Sequence, residues 1–281
     1  MKIFFLTFFL SLSAYAYIPQ TWMILSRTAE NHGKGIYKIL QTVTFFVKDS
    51  PLQVQETWII ESENKMRMEA RGVGPLKDKV HLYYVYEGPY RYFLNQKQQR
   101  KVVKTPLSQT ERYFHFRFSK NIKPLLVALN ILPPEALKAP PRFWTLNAVK
   151  YPTEPFKRLS RTGGVVNYAF GTPTPPDSDH LLPGLWIEQD HFVIRKLRFP
   201  SQWTLTADQY KRYARGLWLP QKRTLQKEQV ITFSINHVKP LYASSKVKEL
   251  LNPKDLLKNK ESYKVLLPSE EVILNFYRNF R

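Results

Sequence analysis

The sequence contains no cysteine. This absence excludes disulfides, thiolate metal sites, a catalytic thiol and the cysteine by which a bacterial lipoprotein receives its lipid. Acidic residues are also scarce, because 22 Asp and Glu stand against 43 Lys and Arg, which gives a net charge of +21. Residues 195–227 alone hold nine Lys or Arg and one acid, Asp208. Such an excess attracts anions, whether phosphate, anionic lipid or an acidic partner.

Signatures of catalysis are missing as well. None of the six histidines lies four residues from another histidine or in a cluster with carboxylates at metal-ligand spacing, and there is neither a Gly-x-Ser-x-Gly elbow nor a glycine-rich phosphate loop. Glu56 interrupts an apolar strand face, where it acts either as the partner of a Lys or Arg or as a general acid or base. The sequence predicts no enzyme, no catalytic residue, no metal site and no cofactor.

The long apolar run that would cross a bilayer is also absent. The apolar stretch at residues 3–12 is about half of the roughly 20 residues that a membrane-spanning helix needs. Lys2 precedes it, and Ala14-Tyr15-Ala16 follows as a small-x-small cleavage site. This pattern predicts a signal peptide at residues 1–16, cleavage after Ala16, and a mature protein of residues 17–281 in the periplasm. Export makes nucleic acid the least expected partner.

Most of the remaining chain alternates apolar and polar residues with a period of two, separated by short turns. This pattern is typical of strands that bury one face in an antiparallel sheet. Turns such as Gly88-Pro89 and Thr162-Gly163-Gly164 divide the predicted strands. They cover residues 52–60, 65–71, 80–86, 90–94, 100–104, 142–149, 156–161, 165–170, 185–188, 192–199, 202–213, 217–227 and 230–238.

Three helices are predicted among these strands. One covers residues 19–31, and a second begins with Pro124 in its first turn. Ser269 is the expected N-cap of the third, whose apolar face carries Val272, Ile273, Phe276 and Phe280. We expect these helices to pack on the sheet, since they interrupt an otherwise β pattern.

Aromatic residues make up 14% of the chain, and several of them recur along successive strands together with methionines. If the sheet curls around these side chains, its concave face is an apolar trough, in which the methionines adapt to ligands of uncertain shape. The predicted trough residues are Trp58, Ile60, Met66, Met68, Leu82, Tyr84, Tyr92 and Leu94, and the predicted lid residues are Phe114, Phe118, Leu125, Leu126 and Leu129. The alternative is an ordinary filled core under helices.

Short motifs in a particular order give the chain a family likeness. Gly35-Ile36-Tyr37 opens a strand, Tyr86-Glu87-Gly88 forms a turn before an aromatic strand, Leu185-Trp186-Ile187-Glu188 precedes a hairpin, and Gly216-Leu217-Trp218-Leu219-Pro220 follows later. Together these segments resemble the outer-membrane lipoprotein-sorting superfamily, the LolA/LolB-like periplasmic lipoprotein carriers and their lipid-binding relatives.

The resemblance implies a mainly β (α+β) fold. It is an incomplete antiparallel β-barrel of about eleven strands, with helices at the N-terminus, in the middle and at the C-terminus that cover a concave apolar face. The resemblance also implies a single domain over residues 17–281. In the carrier a basic residue in an early turn helps to hold the lid shut, but the corresponding turn here is Glu61 to Asn64, so that role does not carry over.

Two functions follow as expectations. The first is a non-enzymatic, monomeric carrier that binds the acyl chains of a lipid or lipoprotein, as in outer-membrane lipoprotein sorting, and that contacts anionic membrane surfaces transiently. The second is an interaction or scaffold protein of the cell envelope, whose basic strands at residues 195–227 dock on an acidic partner. A large apolar cavity favours the first expectation, and a packed interior favours the second.

Overall fold

The structure is a computed structural model that describes residues 18–47, 50–138 and 154–281. The predicted signal peptide at residues 1–16 and the predicted strand at residues 142–149 lie outside these ranges. Within them, no helix has the length and apolar character that crossing a bilayer requires.

The described residues contain thirteen strands, and the predicted alternating segments coincide with them to within a few residues. The strands are β1 (Ile36–Phe46), β2 (Pro51–Ser62), β3 (Lys65–Val73), β4 (His81–Glu87), β5 (Tyr90–Leu94), β6 (Arg100–Lys104), β7 (Lys157–Thr162), β8 (Val165–Phe170), β9 (Gly184–Glu188), β10 (Ile194–Arg198), β11 (Thr204–Arg212), β12 (Trp218–Gln226) and β13 (Val230–Leu241).

All thirteen strands belong to one antiparallel sheet. Its order is β6-β5-β4-β3-β2-β1-β13-β12-β11-β10-β9-β8-β7, so every pairing joins strands that are consecutive in sequence except the central one, where β1 pairs with β13. Strands β6 and β7 are the two edges and do not pair with each other, which leaves the barrel open. The predicted fold class, a mainly β half-barrel with helices, is confirmed.

One face of this sheet is apolar from one half to the other. A row of directly paired residues crosses seven strands on that face, and every one of them is buried because helices and loops cover it. We call this side the concave face and the other the convex face. The row consists of Phe45, Ile231, Leu225, Leu205, Leu197, Leu185 and Phe170.

The register corrects the prediction for Tyr92 and Leu94. Tyr84 lies on the concave face and pairs with Phe93, while Tyr92 pairs with Val85. Across the two-residue turn at Gly88-Pro89, the even-numbered residues of β4 pair with the odd-numbered residues of β5. Directly paired residues lie on the same face of the sheet. Tyr92 and Leu94 therefore lie on the convex face. Arg91 and Phe93 lie on the concave face, where Tyr92 and Leu94 were predicted to lie. The alternation within β5 shows the period but not which half of the residues faces inward.

Five α-helices accompany the sheet in the described ranges: α1 (Thr21–Glu30), α2 (Ser119–Ala128), α3 (Ser245–Leu250), α4 (Asp255–Lys258) and α5 (Glu271–Asn279). Two predicted details were wrong. Helix α2 begins at Ser119, so Pro124 lies inside it, where it removes one main-chain hydrogen bond. Ser269 does not cap α5, because Glu270 takes the N-cap position and no side chain bonds the first turn.

The last forty residues wrap around the sheet. After β13 the chain crosses the convex face, where Asp255 binds Arg67 at 2.8 Å and Tyr263 packs against Tyr83 with ring centroids 4.6 Å apart. Leu266 then exchanges main-chain hydrogen bonds with His81 at the start of β4. From there the chain turns onto the concave face as α5. The end of the chain thus becomes part of the interior.

Candidate ligand-binding face

Six of the eight predicted trough residues lie together on the concave face. Trp58, Ile60, Met66 and Met68 are inaccessible to solvent, and Leu82 and Tyr84 are buried. The pairing of β2 with β3 and of β3 with β4 places them side by side, since Trp58 lies opposite Met68 and Met68 opposite Tyr84. The sheet therefore builds the apolar surface that the sequence predicts, and other parts of the chain cover it.

The predicted lid residues divide into two groups. Phe114, Leu126 and Leu129 are buried, and Leu125 is half-buried against the same core. Phe118 is 60% exposed at the N-cap of α2, so its ring lies outside the covered surface. Helix α1 packs beside α2 and buries Ile24 and Leu25. Helix α2 contributes Ile122 and Leu126 to the cover.

Helix α5 occupies the middle of the concave face. The Phe276 ring contacts Phe45 on β1 and Phe233 on β13, with centroid distances of 5.2 and 5.7 Å. Phe280 contacts Phe199 and Trp203, at 6.3 and 5.1 Å. The apolar face of this helix was predicted from the sequence, but its place on the sheet was not. In this arrangement the helix fills the space that an acyl chain would need.

A buried polar network lies beneath α5. The Arg281 guanidinium donates to Glu56 at 2.9 Å, and its Cζ atom stands 4.7 Å from the centre of the Phe276 ring. Glu56 also accepts from the Gln41 amide at 2.7 Å and from the Trp58 indole at 2.9 Å. Of the two roles left open for Glu56, the structure shows pairing with a basic residue.

A second ion pair continues the network. Arg223 donates to Glu111 at 2.9 Å and also to the side-chain oxygen of Gln41. His115 lies 3.2 Å from the other oxygen of Glu111. Two carboxylates therefore face two guanidinium groups around Gln41, and all these side chains are 1% exposed or less. The two negative and two positive charges balance, and this pairing offsets the cost of burying them.

Burial and pairing together set the protonation of these groups. Burial alone raises the pKa of the Glu111 carboxyl, but the Arg223 charge and the His115 hydrogen bond outweigh it and hold the pKa well below its usual value. Burial lowers the pKa of His115 more than Glu111 raises it. Burial also lowers the pKa of His32 to about 3, although its Nδ1 atom lies 2.6 Å from the carbonyl oxygen of Phe116. Both imidazoles are neutral near pH 7.

The network has no catalytic geometry. Glu56 meets no histidine directly, and His115 reaches only Glu111, whose other oxygen is held by Arg223. The Thr110 hydroxyl accepts from Arg281. Across the described ranges, no group of three or more acidic or histidine side chains is placed to hold a metal ion. The arrangement anchors α5 and the segment around Glu111 on the sheet.

An apolar groove opens where α2 ends. A pocket of about 540 Å³ lies between Val127, Leu132 and Phe156, and a second of about 430 Å³ lies beside Leu182 and Pro200. Asn130 and Thr172 line both pockets, so we treat the two as one lid groove. Ile131 and Leu132 on its wall belong to the same buried cluster as Trp58. The lid groove is thus an apolar groove beside the covered concave face.

Sequence reasoning missed Arg223, Glu111, Gln41 and Arg281. These residues come from four separate segments, and Arg281 is 225 positions from Glu56. A local pattern carries no signal for such pairings. The one available signal was a charged residue on an apolar strand face, and it identified Glu56 alone.

The chain has a LolA-like fold, an open antiparallel half-barrel with an apolar concave face under helices, and solved structures match it. A LolA superfamily protein, NE2245 from Nitrosomonas europaea, matches with a TM-score of 0.50 and 9% identity, over 82% of this chain and 97% of that chain. A DUF1329 family protein from Desulfovibrio piger ATCC 29098 matches with a TM-score of 0.48 and 8% identity, over 86% of this chain and 97% of that chain.

At such identities the likeness shows the fold alone, and the LolA-like fold implied by the sequence motifs is confirmed. No family model matches the sequence, and no curated protein matches it.

The buried imidazoles predict a stability that falls on acidification. Histidine in the unfolded chain takes up a proton near pH 6.5, while His32 in the fold resists protonation down to about pH 3. Between these values the unfolded state binds more protons, so stability drops by at most about 1.4 kcal/mol per pH unit for each such histidine. Urea denaturation at about pH 7.5 and about pH 5 measures the difference.

Substitution separates His32 from the other groups. His32→Gln reduces the pH dependence, whereas His180→Gln, at an exposed position, leaves it unchanged. Carboxylates with lowered pKa values, such as Glu111 and Asp255, also make the fold less stable on acidification, but they do so only at lower pH. If stability fell equally steeply with decreasing pH in the native protein and in His32→Gln, the assignment of this pH dependence to His32 would be wrong.

Proposed function

We propose that this protein binds an acyl-bearing ligand, a lipid or the lipidated end of a lipoprotein, and carries it without chemical change in the periplasm. The acyl chain enters through the lid groove and lies between the concave face and the helices that cover it. The observation that carries this proposal is the cover itself, because helices close the apolar face of the sheet and bury apolar side chains such as Ile24, Leu126 and Phe276 against it.

The same geometry explains how a packed interior accepts a ligand. Helix α5 buries Ile273, Phe276 and Tyr277 on the concave face. An acyl chain offers the same kind of contact, at roughly 0.8 kcal/mol per buried methylene. The chain therefore competes with α5 for the concave face, and the helix yields as the ligand enters. The neighbour from Nitrosomonas europaea, a LolA superfamily protein by its name, supports the carrier fold but identifies no ligand.

Ligand capture tests the proposal directly. Native mass spectrometry of the protein purified from its own periplasm is expected to show a bound acyl species, and a fluorescent fatty acid is expected to bind after delipidation. Val127→Glu places a charge in the lid groove and reduces uptake of the fatty acid. Leu257→Glu, at an exposed leucine of α4, is the matched control and binds normally. Neither bound lipid nor uptake would refute the proposal.

The second candidate is an envelope interaction protein with a filled core, docking its basic strands at residues 195–227 on an acidic partner. The burial of the six concave-face residues is the observation that favours it. The same capture experiment decides between the two, because a filled core takes up no fatty acid at any concentration of the probe.

A further inference from the structure

Three cations meet on the convex face near the lid groove. A row of directly paired residues runs from Arg158 on β7 through Ala169 and Trp186 to Lys196 on β10. Arg198 lies two residues beyond Lys196 on the same face, opposite Gly184. We call Arg158, Lys196 and Arg198 the basic cluster. The antiparallel register brings them together although 40 positions separate the first from the last.

The indole ring of Trp186 fixes two members of the cluster. The Lys196 ammonium lies 4.9 Å from the ring centre, and the Arg198 guanidinium carbon lies 5.3 Å from it. The ring rests on Gly184, where an added Cβ would come within 2.7 Å of the indole. Trp186 is 8% exposed, so the ring is a rigid platform that positions both cations.

No carboxylate neutralises the basic cluster within the described ranges. Arg158 donates to the Gly171 carbonyl at 2.5 Å, and Arg198 donates to the Thr174 hydroxyl at 3.0 Å and to the Leu182 carbonyl at 3.3 Å. In this part of the chain, the Arg198 Nε atom is buried without a hydrogen-bond partner, and no side chain or carbonyl accepts from the Lys196 ammonium. N–H groups of Lys196 and Arg198 thus remain without an acceptor in the described part of the chain.

The nearby acids are engaged elsewhere or exposed. Glu188 and Asp208 bind Arg195, while Asp177 and Asp179 are exposed and make no ion pair among the described residues. Outside the described ranges the sequence has one acid, Asp49. Burial, and then the charge of Arg198, lowers the pKa of Lys196. Three desolvated positive charges without a partner are stabilised by an anion.

The basic cluster borders the lid groove. Leu182, whose carbonyl holds Arg198, lines the groove, and so does Thr172, which follows the Gly171 that holds Arg158. Leu181, Pro183 and Pro200 give this end of the groove an apolar wall. A charged site and an apolar channel therefore share one rim, which matches a ligand that has an anionic head and an acyl tail.

We propose that the basic cluster binds the phosphate of an anionic lipid whose acyl chain lies in the lid groove. The inference rests on the proposed function, since it specifies the polar end of the same acyl-bearing ligand. Two guanidinium groups and one ammonium group are the donors that phosphate oxygens prefer, and the fork of an Arg can bind two oxygens at once.

The test compares two lipids whose heads both carry a phosphate, one with a net negative charge and one zwitterionic. Lysophosphatidylglycerol and lysophosphatidylcholine with the same acyl chain are titrated into the full chain by calorimetry, below the concentrations at which they form micelles. We expect the anionic lipid to bind more tightly. In Lys196→Gln/Arg198→Gln its affinity falls by about ten-fold or more for each cation removed, while the affinity for the zwitterionic lipid changes little.

Two further variants serve as controls. Lys222→Gln/Lys239→Gln removes the same charge from exposed positions of β12 and β13 and retains the preference for the anionic lipid. Thr172→Trp fills the place that the two pockets share, so it weakens both lipids alike.

Each outcome decides one point. Equal binding of both lipids, with no effect in the basic-cluster variant, would overturn the inference and leave the proposed function standing. Binding of neither lipid would overturn both. Inorganic phosphate is the third probe, and if it binds as tightly as the anionic lipid with the same dependence on Lys196 and Arg198, the site serves free phosphate and the lipid assignment is wrong.

Discussion

Replacing Arg281 by alanine is expected to lower the free energy of unfolding by about 3–5 kcal/mol. The guanidinium is inaccessible to solvent, and Glu56 raises the pKa of Arg281 against the opposing effect of burial. The variant leaves Glu56 buried with a negative charge and with neutral donors such as Gln41 and Trp58. Urea denaturation at neutral pH measures the loss.

Two comparison variants isolate the ion pair. Arg278→Ala removes a charge from an exposed position of the same helix and changes stability by less than about 0.5 kcal/mol. Glu56→Gln/Arg281→Met removes both charges and recovers most of the loss, because no unpaired charge remains buried. If Arg281→Ala were as stable as Arg278→Ala, the ion pair would not anchor the end of the chain.

Replacing Phe276 by alanine is expected to cost about 3–5 kcal/mol and to increase binding of an acyl probe. The ring is 1% exposed and contacts rings from β1 and β13, so its removal leaves a cavity between α5 and the sheet. If an acyl chain competes with α5, loosening the helix raises the fraction of molecules that accept the chain, and the apparent affinity rises in proportion.

Hydrogen exchange and probe titration together check this prediction. Amides of residues 271–279 exchange faster in Phe276→Ala, while those of β1 and β2 retain their protection. Val272→Ala, at a half-buried position of the same helix, has a smaller effect on both readouts. Faster exchange of α5 without tighter probe binding would show that the helix and the ligand do not share a site.

The local patterns predicted the sheet well. Strand β3 shows why, because Met66, Met68 and Ala70 alternate with charged residues and are all buried on one face. Helix α5 was also visible, since Ile273 and Phe276 lie on one side of it. Each of these features depends on neighbours within a few residues, and that is the range over which periodicity carries information.

Features that depend on distant contacts could not be predicted. The face of Tyr92 depends on the turn before β5 rather than on its own strand, and the partner of Glu56 comes from the far end of the chain. The basic cluster is another example, since Arg158 and Lys196 become neighbours only through the pairing of four strands. The excess of positive charge is visible in the sequence. Only the pairing of the strands shows that Arg158, Lys196 and Arg198 lie together.

The packed interior and the carrier proposal are consistent because the cover consists of helices. Sheet pairing between β1 and β13 fixes the trough. Helix α5 is held by the buried side chains of Ile273, Phe276 and Tyr277, by the Glu56–Arg281 pair, and by Arg91 of β5, which donates to the carbonyls of Tyr277 and Arg278. An element held in this way can exchange with an apolar ligand without breaking a strand.

Photocrosslinking with a diazirine-labelled fatty acid is the most direct test of acyl binding at the concave face. Peptide mapping is expected to place the adducts on residues 126–132 along the lid groove and on residues 58–84 of the concave face, with more adducts on the latter in Phe276→Ala. Adducts restricted to the convex face, or spread evenly over exposed leucines such as Leu257, would contradict the account.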